Sequence, residues 1–320
     1  MTGTVLATGQ AVGIDVGGTK TAAALVSADG SVLALETLPT PADDVDATLA
    51  TVVKAARAVM TPEVGAVGIA AAGLVDWATG ELVFAPNLAW RQVPLSAYLT
   101  QELGVPVVAD NDNTAAAWGE YVFGAGRGFK DLLLVGVGTG IGGGIVTGGR
   151  LFHGAHGFAA EIGHIVMDPA GPLCGCGNRG CWEQFASGQA VTRAGRAAVK
   201  DGAKTVLAEL TDHDLDRITG PMVTQAARQG DPVSVAILAD VGHWLGVGIG
   251  GLVNILDPEI VVMAGGVAEA GDLLLAPARA AYHETVEAAG MRPEVPIVMA
   301  ALGNHTGVVG AAALVLEAPG

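Results

Sequence analysis

The sequence is poor in cysteine, in aromatic side chains and in positive charge. Of its 320 residues three are cysteine, and Phe, Trp and Tyr together make up 4%. The thiols sit within eight residues, at Cys174, Cys176 and Cys181. An odd, clustered set is a poor disulfide framework and a good candidate for a metal site in a reducing compartment. Sixteen Lys and Arg stand against 32 Asp and Glu, a net charge of −16 with a pI near 4.6. No Lys/Arg run occurs. Nucleic acid is thereby excluded as a partner, and so is an anionic membrane surface. The uncharged stretch 132–149 is no membrane span, because eight of its 18 residues are glycine. Residues 1–15 carry no basic n-region and no cleavage site, so a cytoplasmic location is expected.

What the chain has in excess is glycine, 48 of 320, about twice the usual share. No G-X-Y period appears, so these glycines serve turns and close backbone approach. Hydrophobic residues make up 51% and charged ones 15%, which excludes disorder and leaves a core of Ala, Val, Leu and Ile. The length suits two lobes, since single cores stop growing near ~250–300 residues.

Periodicity predicts three hairpin strands at 11–16, 21–26 and 31–37. A helix at 45–59, a strand at 64–70, a helix at 95–103, a strand at 105–109 and a helix at 114–123 follow. The pattern then restarts. Residues 14–26 (IDVGGTKTAAALV) and 135–146 (VGVGTGIGGGIV) are each an apolar strand, a small-residue turn and a returning strand. One supersecondary unit used twice would put two glycine turns on either side of one cleft. The second turn is expected at 138–144, with its return strand beginning at Ile145. Further helices are expected at 184–200, 222–229, 233–256, 273–289 and 307–316, with strands at 260–264 and 297–301.

The spacing G-x-G-x-x-G occurs at Gly138-Gly140-Gly143 and at Gly246-Gly248-Gly251. Neither marks a dinucleotide fold: the first leads into a strand, and the second lies inside a helix, where glycines permit close helix packing. A Walker A loop is absent too. What remains is a phosphate-binding hairpin at Asp15-Val16-Gly17-Gly18-Thr19-Lys20. There glycine N–H groups, the Thr19 hydroxyl and the Lys20 charge can face an anion. Asp15 can reach a Mg²⁺ on the phosphates through water. Gly138-Thr139-Gly140 would be its counterpart.

IDVGGTK, AGLVD, NDNTAAAWGE, GTGIGGG, EIGH and CGCGNRGCWE occur in that order. This series, spread from Gly13 to Gly266, resembles the ROK family of repressors and sugar kinases, most closely its bacterial ATP-dependent glucokinases. The resemblance implies an α/β architecture of the actin-like, ribonuclease-H-like ATPase type, with two lobes and a cleft between them. Residues 1–112 plus 303–320 would form the small lobe and 113–302 the large one. It implies Asp112 as general base for a sugar hydroxyl, with Asp110 the rival that spacing alone would not separate. One residue of Asp110-Asn111-Asp112-Asn113 is expected to cap the helix, whose N-terminus would favour an ionised Asp112. Gly265 and Gly266 match the family's nucleotide-side glycines. A homodimer or dimer of dimers is implied as well. Repressors of the family carry a helix-turn-helix before the sugar fold, and here only ten residues precede the first strand, so a DNA-binding role is not expected.

His164 joins the three thiols in a Cys₃His set, the closed tetrahedral composition of structural Zn²⁺. The resemblance implies the same four ligands. The zinc would hold the loop whose flanks face the sugar. Polyols are recognised by paired carboxylates and amides, and the candidates are Asn87, Asn111, Asp112, Glu161, His164 and Glu183. Glu161 and His164 are three apart and would share one side of a helical turn; Glu183 follows Cys181 by two. The expected reaction is transfer of the γ-phosphoryl of ATP to the 6-hydroxyl of glucose. N-acetylhexosamine, mannose or fructose kinases, polyphosphate as donor and a non-catalytic sugar sensor are the alternatives.

Overall fold

The chain begins with three strands joined by hairpins, β1 (Gln10–Val16), β2 (Lys20–Ser27) and β3 (Val32–Pro39). A computed structural model describes residue 7 and residues 9–316. The readings that rest on residues 1–6, 8 and 317–320, including the leader-free N-terminus and the end of the terminal lobe segment, lie outside the described residues. After β3 come α1 (Val45–Val59), β4 (Val67–Ala71), β5 (Leu74–Asp76), β6 (Glu81–Phe84), β7 (Arg91–Val93), α2 (Leu95–Leu103), β8 (Val107–Asn111) and α3 (Asp112–Phe123). Then follow β9 (Leu132–Val137), β10 (Ile141–Thr147), β11 (Arg150–Leu151) and a 3₁₀ turn at Ile162–His164. The rest is α4 (Glu183–Ala186), α5 (Gly188–Lys200), α6 (Val206–Leu210), α7 (Gly220–Arg228), α8 (Pro232–Leu256), β12 (Ile260–Ala264), α9 (Asp272–Thr285), β13 (Ile297–Met299) and α10 (Thr306–Ala313).

Two five-stranded sheets result, in the orders β3-β2-β1-β4-β8 and β11-β10-β9-β12-β13. Both orders place a hairpin triplet beside two later strands, the duplication expected from the two glycine-turn segments. In the first sheet β1, β4 and β8 run parallel. Their register aligns Asp15 with Ala70 and Ala70 with Asp110. Cross-strand neighbours share a face, so Asp15 and Asp110 stand on the same side of the sheet, two strands apart.

The chain divides into two compact units. One runs up to Leu134, with Gly144–Ala160 and the segment from Ala300 on; the other is Val135–Gly143 with Glu161–Met299. The units do not divide at residue 112, because α3 packs on α10 inside the first. Gly119 and Gly310 allow this: a Cβ on Gly119 would sit 2.7 Å from the Gly310 Cα. Glu120, fully buried, accepts the N–H groups of Ala125 (2.8 Å), Ala301 (3.0 Å) and Leu302 (2.9 Å), which ties the returning segment to α3. On the other face of the sheet α1 buries Leu49, Val52, Val53, Ala56 and Val59, the helical period that predicted it. Asp44 caps it by accepting the Ala47 N–H at 3.0 Å.

In the second unit α8 lies along α9. Gly242, Gly246 and Gly250 face the α9 residues Leu274, Ala278 and Thr285, leaving no room for side chains. Of the second G-x-G-x-x-G, Gly246 is thus a helix-packing residue and Gly248 seats the fully buried Trp182, while Gly251 has open space before it. α8 is long and apolar enough to cross a membrane by length and composition, but more than half of its most apolar stretch is buried inside the protein.

Several expectations on local structure are corrected. The small sheet β5-β6-β7 escaped notice because its strands have three or four residues, too few to show a period. α6 was missed for the same reason. The return strand starts at Ile141 rather than Ile145. Glycine lacks strand propensity but is accepted here, because at Gly144 a Cβ would meet Ala117 and the Asn113 carbonyl of α3 at 2.5 Å. The helix expected at 184–200 breaks at Ser187, whose hydroxyl accepts the Ala190 N–H.

Candidate active site

In the first unit the glycine hairpin closes through the Gly17 N–H, which donates to the Lys20 carbonyl at 3.0 Å. Gly18 packs on Asn87: a Cβ there would lie 3.0 Å from the Asn87 carbonyl oxygen. The hairpin expected to bind phosphate and one expected sugar residue are therefore adjacent. The Asn87 loop is held by Arg91, which donates to the carbonyls of Ala85, Leu88 and Trp90 and stacks its guanidinium 4.2 Å from the Phe84 ring. Thr19 and Lys20 are exposed at the turn.

Asp15 lies below this turn, at the end of β1. Burial, with the nearby Asp112 carboxylate adding to it, raises Asp15 to about 6 against the lowering effect of Lys20. The folded state thus binds a proton more readily than the unfolded chain, at 3.8. Stability contributed by this group is present below about pH 4 and is lost as pH rises through 6, a cost of at most about 3 kcal/mol. Asp15→Asn is expected to raise the melting temperature at pH 7.5 and to raise it about a third as much at pH 4.5, while activity falls. A variant that is no more stable than the parent at pH 7.5 would show that Asp15 is already neutralised in the fold.

β8 delivers the quartet. Asn111 is the cap: its Oδ1 accepts the N–H groups of Asn113 (2.9 Å) and Thr114 (3.1 Å), and its Nδ2 donates to the Gly73 carbonyl (3.0 Å). Asp112 Oδ1 accepts the backbone N–H and the amide of Asn113, both at 3.0 Å. Burial outweighs these bonds, so the Asp112 carboxyl is raised above its usual range rather than held ionised by the helix N-terminus. Asp110, the rival, is 4% exposed and engaged at both oxygens, by the Asn111 N–H (2.8 Å) and by His153 Nε2 (2.7 Å). His153 went unnoticed in the sequence, since a lone histidine 43 residues away carries no local signal.

In the second unit the thiols and the imidazole do gather. Cys174 Sγ lies 3.7 Å from His164 Nδ1, Cys176 Sγ lies 3.6 Å from Cys181 Sγ, and the four ligand atoms are all within 4.8 Å of one another. Ligands on a tetrahedral ion with ~2.3 Å S and ~2.0 Å N bonds stand at about this spacing. Two backbone bridges shape the loop, Val166 with Cys181 and Leu173 with Arg179. Gly180 (φ +65°) has no space for a Cβ against the Asp168 backbone. The cluster fits a zinc ion.

Glu183 Oε1 stands 2.9 Å from Cys174 Sγ and 3.9 Å from His164 Nδ1. Glu161 precedes the 3₁₀ turn that ends at His164. Gly140 faces the Glu183 carboxylate, so the second glycine turn borders the metal loop. That turn closes by the Gly138 N–H donating to the Gly140 carbonyl (3.0 Å), and Thr139 and Gly138 receive the N–H groups of Gln189 and Gly188 at the start of α5. Gly265 (φ +89°) packs on the Val137 backbone, and Gly266 beside it is exposed. Gly138, Thr139, Gly140, Gly265 and Glu183 are thus grouped at one end of the second sheet.

The ROK family pattern matches residues 11–318. The chain belongs to the ROK family. It is similar to the glucokinase of Streptomyces coelicolor, 44% identical over 97% of this chain and 98% of that one. The solved structure of a ROK family glucokinase from Streptomyces griseus, in complex with glucose and AMPPNP, matches 96% of this chain and 99% of that one, with TM-score 0.87 and 41% identity. The xylose repressor of Caldicellulosiruptor bescii is 36% identical over 68% of this chain but only 55% of the repressor. The fold of this ROK chain is the actin-like, ribonuclease-H-like ATPase architecture with two α/β lobes, as its motifs implied.

Proposed function

We propose that this ROK chain is an ATP-dependent glucokinase that transfers the γ-phosphoryl group to the glucose 6-hydroxyl. The observation that carries this reading is the end-to-end likeness to a glucokinase solved with glucose and AMPPNP. Asp112 accepts the proton of the attacking hydroxyl, a task suited to a carboxylate whose proton affinity burial has raised. Asn87, Asn111, Asp112, Glu161, His164 and Glu183 are the side chains assigned to the sugar hydroxyls. Gly17, Gly18, Thr19 and Lys20, with Gly138, Thr139 and Gly140, donate hydrogen bonds and charge to the phosphates. Gly265 and Gly266 leave bare backbone for the adenosine.

Two metals belong to this reading. Asp15 would hold a Mg²⁺ through water, and the ion, when bound, would supply positive charge to the phosphates. Zn²⁺ on His164, Cys174, Cys176 and Cys181 is structural, since no ligand position stays open. His164 joins the cluster through Nδ1, which leaves Nε2 to donate to a sugar hydroxyl. The thiolate set suits a cytoplasmic protein. A homodimer or dimer of dimers is the expected assembly.

The likeness to the xylose repressor favours one second reading, a non-catalytic sugar sensor. ADP release from Mg-ATP separates them, measured with glucose, mannose, fructose, N-acetylglucosamine and N-acetylmannosamine, and repeated with polyphosphate as donor. Glucose with ATP is expected to give the highest kcat/KM. Preference for another sugar would reassign the substrate, and no turnover with any of the five would favour the sensor.

A further inference from the structure

Asp110 is the carboxylate that the proposed reaction leaves without a task. It is 4% exposed and stands two residues before Asp112. Its Oδ1 accepts the Asn111 N–H at 2.8 Å, and its Oδ2 lies 2.7 Å from His153 Nε2. A carboxylate can only accept, so the bridging proton sits on the imidazole Nε2.

His153 is itself held in place. Its side chain is 16% exposed, and its ring stacks on Trp77 with centroids 5.0 Å apart and planes 17° from parallel. Trp77 directly follows β5. Gly157, four residues beyond His153, seats its segment on the same strand: a Cβ there would lie 2.7 Å from the Val75 carbonyl oxygen and 3.1 Å from the Trp77 ring. The residue before β5 is Gly73, whose carbonyl accepts the Asn111 amide. These contacts close a ring, from Asn111 to β5, to Trp77, to His153, to Asp110 and back to Asn111. Asp112 stands at the turn that this ring encloses.

We propose that His153 is a positioning residue for the phosphoryl transfer. Acting through Asp110, it fixes the turn from β8 into α3 and so the direction of the Asp112 carboxylate. The hydrogen bonds that Asp112 receives from Asn113 come from its neighbour in α3. They fasten the carboxylate to the helix but do not fasten the helix to the strand. At the turn itself that second task falls to the Asn111 cap and to the His153–Asp110 bond, beside the packing of α3 on α10. Without the imidazole, Asp110 Oδ2 would be buried without a partner, a state that drives the carboxylate to turn and take the Asn111 peptide with it. A displacement of about 1 Å at a reacting group can cost about 10²-fold in rate. The inference rests on Asp112 being the base.

The test uses the full-length chain and four variants: His153→Ala, His153→Asn, His153→Gln and Asp112→Asn. Steady-state kinetics with glucose and ATP are read beside thermal melting. His153→Ala is expected to lower kcat by about 10–100-fold, with the KM for ATP changed by less than about two-fold. His153→Gln, whose amide nitrogen can occupy the Nε2 position, is expected to recover most of that loss. His153→Asn, too short to reach Asp110, is not, and it replaces the alanine variant should that one fail to fold. Full kcat in both short variants would overturn the proposal, as would a glutamine variant no better than they are at equal melting temperature. An inactive Asp112→Asn beside a fully active His153→Ala sinks this inference alone. An active Asp112→Asn removes the base and the positioning role together.

Discussion

Asp112→Asn is expected to lose about 10²–10⁴-fold in kcat, the usual worth of a positioned general base. Asparagine keeps the shape of the side chain and an oxygen for the Asn113 N–H groups, but cannot take a proton. Binding of glucose, measured by calorimetry, should stay detectable, because the other residues proposed to hold the sugar are untouched. The pH profile gives a second readout. Burial raises Asp112 above its ordinary value of 3.8, so the acid limb of kcat/KM should lie above the range of an exposed aspartate. Activity falls as pH drops through that value, since a protonated base cannot act. Turnover close to that of the parent would move the base elsewhere. Asp110 is the nearest alternative, yet both of its oxygens are engaged, so it would have to release His153 first.

Loss of the metal should be the second large effect. Cys174→Ser and Cys181→Ser are each expected to abolish retention of zinc, read by metal analysis of the purified protein. Both sulfurs are buried, and three ligands cannot hold a structural site closed. The loop 164–183 carries His164 and Glu183, so its loosening should cost about 10²-fold or more in kcat/KM for glucose. ATP should be affected less. A soft chelator applied to the parent protein should reproduce the loss, and added zinc should restore it. A zinc-free variant with an unchanged KM for glucose would detach the metal from sugar binding. The cluster would then be a staple for the loop alone.

Much of this site could be read from the chain because its chemistry is compressed into short segments. Three cysteines in eight residues, a glycine pair followed by Thr and Lys, and four alternating Asp and Asn residues each say something about a ligand without reference to distant parts of the fold. The helices at Val45–Val59 and Leu95–Leu103 were equally legible, since one apolar stripe and one stop signal define them. The strands β5, β6 and β7 were not, because three or four residues hold no period. Their existence depends on pairing with one another, which is a property of the folded state.

The sequence by itself determined the family, the two repeated glycine hairpins, the Cys₃His composition and the short list of carboxylates. Those are properties of residue type and local spacing. Only the tertiary structure shows that Asp110 is engaged at both oxygens, the second of them by His153, 43 residues later in the chain. It also decided the sign of the effect on Asp112. The helix N-terminus favours the charged form, but desolvation depends on everything packed around the carboxyl, and here desolvation wins. Local spacing names the groups that can react; burial and long-range contacts set which of them is free to do so.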